Sequence, residues 1–208
     1  VVHNGIDPTA QPDRPGREIR AEMGIPAEVF VVGTVGSLMR RKRVDLLIRA
    51  LAHAARNVRG GVVGLIVGEG PERATLEEEA RRLGIGGSCR FTGFRSDALS
   101  YLDAMDVVAL ASEGEGLPRV LLEAMLLSKP VVATRVTGSK DLVVDGETGL
   151  LVPFGDEGGL ADALGRLAAD AGERARMGGN GRARVLSDFT VDRYVRGVEI
   201  ALAEMAGT

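Results

Sequence analysis

Short β-branched runs recur along the chain, and each is followed by a stretch rich in Ala, Leu and Arg long enough for one helix. Five runs read as buried strands: Val29–Val35 (VFVVGTV), Val62–Val67 (VVGLIV), Cys89–Thr92 (CRFT), Val107–Ala111 (VVALA) and Val131–Thr134 (VVAT). Strands this uniformly apolar need cover on both faces, which is the situation of a parallel sheet between two helical layers. Helical spacing of apolar residues falls between them, over Val44–Val58, Glu72–Leu83, Ala98–Met105 and Pro118–Leu127. Strand and helix in alternation with short loops predict an α/β fold, a doubly wound parallel sheet with right-handed crossovers. A sixth short strand, Leu150–Val152, follows the turn Asp145-Gly146-Glu147-Thr148-Gly149, and helices fill the rest from Glu157. The Gly- and Arg-rich stretch Ala171–Gly181 reads as a corner between two of those helices. Residues 1–16, rich in Pro and Gly from Asn4 to Gly16, read as a connection entering the domain, which occupies 17–208.

Composition limits what such a domain can do. The 208 residues are 45% hydrophobic and 26% charged, which describes a globular chain rather than a disordered one. A chain of this length buries about 70% of its unfolded surface and needs no staples. Cys89 is the single cysteine, so no intramolecular disulfide forms, and a reducing, cytoplasmic setting is expected. With 26 basic against 29 acidic residues the net charge is −3, which gives no general reason to bind nucleic acid. Any anion site must be local. No apolar run approaches the roughly 18 residues of a membrane span, and Val1-Val2-His3 resembles no signal peptide. The chain lacks an initiating Met, and it is expected to begin partway through a longer protein.

In a doubly wound sheet the ligand sits where the loops gather, at the carboxyl ends of the strands. The loop after the first strand reads Gly36-Ser37-Leu38-Met39-Arg40-Arg41-Lys42-Arg43, with four consecutive cations at a helix start. The positive end of a helix dipole disfavours cations. The cluster makes sense if an anion such as a phosphate fills the gap, although taken alone it reads more readily as a solvated basic patch. The loop after the fourth strand reads Ser112-Glu113-Gly114-Glu115-Gly116-Leu117-Pro118, and Pro118 suits a first helical position. The amides of Arg119 and Val120 are then free donors for a second anion site. Glu123 follows on this helix among Leu121, Leu122, Ala124 and Met125, where a carboxylate could take two hydrogen bonds from a diol such as a ribose.

The remaining candidates are weaker. Gly93-Phe94-Arg95-Ser96-Asp97 ends the third strand, with Asp97 expected to cap the next helix, Phe94 available for stacking and backbone groups available to a base edge. Gly68-Glu69-Gly70-Pro71 lacks the third Gly of a dinucleotide fingerprint and reads as a turn and helix start, which disfavours a dehydrogenase. His3 and His53 have no partners at ligand spacing, so no metal site is expected. Cys89 has no neighbouring base and no Gly-x-Ser-x-Gly elbow occurs, so nucleophilic catalysis is not expected.

Taken together these motifs resemble the C-terminal, nucleotide-sugar-binding domain of retaining glycosyltransferases of family 4, which have the GT-B fold of two Rossmann-like domains facing a cleft. The resemblance runs through Val2-His3-Asn4-Gly5-Ile6-Asp7, the Gly36–Asp45 loop with Lys42, Val67–Pro71, Phe91-Thr92-Gly93, Glu115-Gly116-Leu117-Pro118 to Glu123-Ala124-Met125, Pro130–Thr134 and Asp145–Pro153. The family's two glutamates, separated by seven residues, fall on Glu115 and Glu123. The resemblance implies that Glu115 approaches the donor sugar and Glu123 holds the ribose. It implies that Lys42 contacts the diphosphate together with the amides of Arg119 and Val120, and that Phe94 and Arg95 meet the base. Gly36, Ser37, Arg43, Gly116, Leu117 and Pro118 would complete the pocket, with Lys42 and Glu115 as the catalytic pair. Three positions depart from the family: Ser37 stands for an Arg, Arg43 for a Gly, and Asp141 for a Glu.

The implied activity is transfer of a sugar from a UDP- or GDP-linked donor to an acceptor hydroxyl, without metal or other cofactor. The implied partners are the donor and the protein's own N-terminal, acceptor-binding part. Any peripheral contact with the inner face of a membrane would run through that part, and the 208 residues alone would not transfer sugar. A nucleotide-sugar epimerase of the same layout and a noncatalytic sugar-nucleotide-binding module are the alternatives.

Overall fold

A computed structural model describes residues 5–58 and 60–206, so Val1 to Asn4, including His3, lie outside the described residues. Six parallel strands form one sheet in the order β3-β2-β1-β4-β5-β6. They are β1 (Phe30–Val35), β2 (Val62–Val67), β3 (Cys89–Gly93), β4 (Val107–Leu110), β5 (Val131–Thr134) and β6 (Gly149–Val152). Each predicted strand is present within a residue or so of its expected ends. Every residue of β2, β4, β5 and β6 is buried, as the uninterrupted apolar runs require.

The order reverses between β1 and β4, which pair at Val32 with Val107 and Gly33 with Val108. Chain direction explains the reversal. The helices α2 (Val44–Ala54) and α3 (Arg73–Arg82) return the chain over one face, and α4 (Ala98–Asp103), α5 (Arg119–Leu126) and α6 (Thr137–Leu142) return it over the other. Two cores result, one centred on Leu47, Ile48 and Leu51 of α2, the other on Tyr101, Leu102, Leu121 and Met125. After β6, α7 (Glu157–Ala169) packs beside α2 on the first face, and α8 (Ala171–Asp188) packs on α5. A last helix, α9 (Val191–Ala206), follows a bridge in which Ile6 accepts from Val191 N at 3.1 Å and donates to Phe189 O at 2.8 Å. The entering segment is thus anchored at Ile6, which is buried.

Two helices escape the sequence pattern. The first, α1 (Gly16–Glu22), is short and mostly exposed, and its buried residues are Gly16 and Ile19. The second is α6, whose single apolar anchor, Leu142, is too little to show a period.

The stretch 171–181 is a correction: it lies inside the continuous α8, and the corner is at Asp170, whose Oδ1 accepts from Glu173 N at 2.8 Å as an N-cap. Glycine content predicted a break because each Gly costs helix about 1 kcal/mol. Tertiary contacts override that cost. Arg184 donates to Leu142 O at 2.8 Å and Asp141 O at 2.9 Å at the end of α6, Arg174 reaches Ala168 O at 3.2 Å at the end of α7, and Arg182 reaches Leu126 O at the end of α5. Three helix ends thereby receive donors for carbonyls that lack intrahelical partners.

Glycine itself allows the closest approach: a Cβ on Gly178 would lie 1.9 Å from Ser128 O, whereas one on Gly179 would meet nothing within 4 Å. Gly179→Ala is therefore expected to stabilise the chain by about 0.5–1 kcal/mol. Gly178→Ala, one residue away, should destabilise it by about 1–3 kcal/mol. Urea unfolding of both variants checks the pair, and equal effects would contradict the packing.

Candidate functional site

Parallel strands deliver all their following loops to one edge, and here those loops are stitched together by main-chain hydrogen bonds. Leu38 N donates to Glu69 O at 2.8 Å and Glu72 N to Leu38 O at 3.1 Å, joining the loops after β1 and β2. Gly68 N donates to Gly93 O at 2.9 Å, adding the loop after β3. Glu113 N donates to Arg41 O at 2.9 Å across the reversal point, and Gly138 N donates to Glu115 O at 3.2 Å, tying in the start of α6. A Cβ on Gly138 would lie 1.8 Å from Gly116 O, so only glycine allows α6 to seat against the Glu115 loop.

The four consecutive cations separate into distinct roles. Arg40 to Lys42 form one tight 3-10 turn, with Lys42 N donating to Met39 O at 2.9 Å. Arg40 and Arg41 are exposed, whereas Lys42 turns inward and its Nζ meets Glu115 Oε1 at 2.7 Å. The side chains of this pair are only 18% and 9% exposed, so the pair is largely withdrawn from water. Arg43 takes the left-handed conformation, φ 47°, ahead of α2. That geometry costs a non-glycine residue about 1–2 kcal/mol, and it is the geometry for which a glycine there would be suited. Asp45 holds the arginine by two hydrogen bonds, to Nε at 3.0 Å and Nη2 at 3.1 Å. Glu113 lies 3.6 Å from Nη1, and the guanidinium sits 5.6 Å from the Phe154 ring centroid.

Three residues beyond Glu115, Pro118 is the N-cap of α5 rather than its first helical residue, with φ −74° and ψ 105°. The ladder opens with Leu121 N and Leu122 N, which both donate to Pro118 O, at 3.0 and 3.3 Å. The amides of Arg119 and Val120 stand ahead of those bonds at the helix N-terminus, as expected. Glu123, 15% exposed, accepts from Arg119 Nε at 2.7 Å, and Arg119 itself is 84% exposed. Leu117 packs against the second core and Gly116 is exposed.

Gly36 N is taken by Val67 O at 2.9 Å, and Ser37 is exposed beside it. On the third loop Phe94 is 77% exposed, and the Arg95 guanidinium lies 5.4 Å from the Tyr101 ring centroid. Asp97 is a correction: its side chain makes no capping bond, because Oδ2 accepts from Arg14 Nη2 at 3.1 Å. Asp141, the shortened acid, is exposed on α6.

Other features lie apart from this edge. Burial pushes the Cys89 thiol up to about 11, which leaves it protonated and unreactive at neutral pH. His53 lines a hollow of about 600 Å³ between the last turns of α2 and α7, at the end of the sheet away from the loops. A hollow of about 350 Å³ flanks the Lys42 loop, lined by Arg40, Arg43, Asp45, Arg49, Glu79 and Glu113. Among the described residues no group of three or more His, Cys, Asp or Glu gathers as for a metal ion, and no helix is long and apolar enough to cross a membrane.

The positioning residues Asp45 and Gly138 were not singled out by sequence as part of the site. The available signal for Asp45 was an acid in the first turn of α2, two positions after the last of the cations.

Burial alone would raise the Asp45 carboxyl, but the hydrogen bonds and charge of Arg43, with the charge of Arg49, outweigh it and hold the group below the usual carboxylate range. A depressed carboxyl stabilises the fold above its unfolded pKa, near 3.9, and that contribution is lost as pH falls through the folded value. Asp45→Asn should therefore cost roughly 1 kcal/mol at pH 7 and lose less than the wild type on going to pH 3. Urea titrations at both pH values test this, and parallel acid losses would count against the pairing.

Residues 16–184 match the family described as glycosyl transferases group 1. The lipopolysaccharide core biosynthesis glycosyltransferase LpsE of Rhizobium meliloti (strain 1021) is 36% identical over 171 residues, which cover 82% of this chain and 49% of that protein. The D-inositol 3-phosphate glycosyltransferase of Corynebacterium urealyticum is 38% identical over 173 residues, 79% of this chain and 41% of that one. This chain thus spans about half the length of the curated relatives it matches. Among solved structures, Anabaena HepE in complex with UDP-glucose superposes with a TM-score of 0.89 at 31% identity, over 98% of this chain and 57% of that one. The C-terminal domain of a glycosyl transferase group 1 family protein, LpcC, from Francisella tularensis superposes at 0.79 with 26% identity, over 90% of this chain and 100% of that one. With its six-stranded Rossmann-like sheet and these relatives, the chain belongs to the glycosyl transferases group 1 family, and its fold matches one half, the C-terminal one, of GT-B glycosyltransferase structures.

Proposed function

We propose that this chain is the donor-binding part of a retaining glycosyltransferase that takes a sugar from a UDP- or GDP-linked donor and passes it to an acceptor hydroxyl without a metal ion. The observation that carries the reading is the meeting of Lys42 and Glu115 at the carboxyl edge, 2.7 Å apart, beside the N-terminus of α5. As the bond between sugar and diphosphate breaks, negative charge builds on the departing phosphate. The Lys42 ammonium and the amides of Arg119 and Val120 stabilise that charge. Glu115 accepts from sugar hydroxyls, and Glu123 from the ribose diol. Phe94 and the backbone near Arg95 meet the base, with Gly36, Ser37, Arg43, Gly116, Leu117 and Pro118 shaping the pocket. The likeness to a structure holding UDP-glucose supports the same donor class here.

A thermal-shift panel of UDP, GDP, ADP and their common sugar conjugates tests the reading. A ligand at a hundred times its Kd should stabilise the fold by about 2.7 kcal/mol, a rise of roughly 5–10 °C for a domain of this size. The best ligand should bind equally well in excess EDTA. Lys42→Ala and Glu123→Ala should each weaken it by roughly 1–3 kcal/mol in calorimetry. Unchanged affinity in both variants would reject the site, and a requirement for added metal would reject the metal-free chemistry. The chain alone is expected to bind donor without transferring sugar, and turnover on any acceptor hydroxyl would overturn that division of labour.

A further inference from the structure

We infer that Glu115 makes this site prefer a sugar-bearing nucleoside diphosphate over the bare diphosphate, by holding Lys42 until a sugar hydroxyl takes the ammonium's place. The inference rests on the donor-site reading above. Lys42 Nζ and Glu115 Oε1 are 2.7 Å apart, and their side chains are 18% and 9% exposed. Drawing the ammonium onto a phosphate leaves Glu115 as a carboxylate with little access to water, which is costly unless something else donates to it. An ionised carboxylate is only an acceptor. Sugar hydroxyls can donate to it. A bare terminal phosphate cannot, and it adds like-charge repulsion.

The geometry also decides which partner moves. The main chain of Glu115 is fixed through its carbonyl, which accepts from Gly138 N at 3.2 Å, α6 is seated against Gly116, and its side chain is the shorter of the two. Lys42 has its main chain fixed in the 3-10 turn, with N donating to Met39 O at 2.9 Å, but its four-carbon stem can swing. A donor therefore exchanges partners: its phosphate takes Lys42 while its sugar takes Glu115. When the sugar has left, Glu115 again competes for Lys42, and the bare diphosphate is released more readily.

Calorimetry of the chain with matched pairs, UDP with UDP-glucose and GDP with GDP-mannose, tests this in the wild type, Glu115→Gln, Lys42→Ala and the double variant, each first shown to melt cooperatively. Glu115→Gln should bind the bare diphosphate about tenfold more tightly and the sugar conjugate no more tightly, and its gain should vanish in the Lys42→Ala background. A bare-diphosphate affinity that is unchanged or weakened in Glu115→Gln, with the wild type still binding, would overturn the inference and leave the donor site standing. A gain that persists without Lys42 would also overturn it, since simple charge removal would then suffice. Absence of binding to every pair by the wild type would overturn the donor-site reading itself, and the inference with it.

Discussion

The site depends on main-chain hydrogen bonds that run from loop to loop along one edge of the sheet. A parallel sheet brings its loops to that edge but does not fix their relative heights, and a ligand that touches three loops at once needs them fixed. Here the links pass from Gly93 through Gly68, and from Glu69 through Leu38. They cross the reversal point from Arg41 to Glu113 and end at Glu115 and Gly138. Donors and acceptors that would otherwise need water are thereby satisfied, and the side chains at the edge inherit a rigid base.

The four adjacent cations show how a run of identical charge can be divided by backbone geometry alone. A single 3-10 turn and one left-handed residue aim Lys42 at the cleft and return Arg43 to Asp45, while Arg40 and Arg41 remain exposed. The strain at Arg43 is offset locally by two hydrogen bonds and a ring contact. Asp45 also pairs with Arg49, which reaches Glu79 at 3.1 Å and Glu157 at 3.2 Å, so the start of α2 is tied to α3 and α7.

Much of this was legible in the amino-acid sequence, and what was not has identifiable causes. The strands showed because burial on both faces demands unbroken apolar runs, and the positions of Lys42, Glu115 and Pro118 between strand and helix, with Glu123 on the helix that follows, came from strand and helix alternation. The pairing of Lys42 with Glu115 did not show, since they lie 73 positions apart and only the sheet order brings them together. The continuity of α8 was hidden because its helical stability comes from carbonyls at the ends of α5, α6 and α7, which no local propensity encodes. Asp97 followed the local rule for a cap until Arg14, far away in sequence, supplied a stronger partner.

The reversal between β1 and β4 has a consequence for how a bound ligand would be felt by the fold. Lys42 belongs to the β3-β2-β1 half of the sheet and Glu115 to the β4-β5-β6 half. Neither half carries the Lys42–Glu115 pair by itself. A molecule held by both residues acts as a clasp across the seam, so it would slow amide exchange deep in both halves rather than only in the loops it touches.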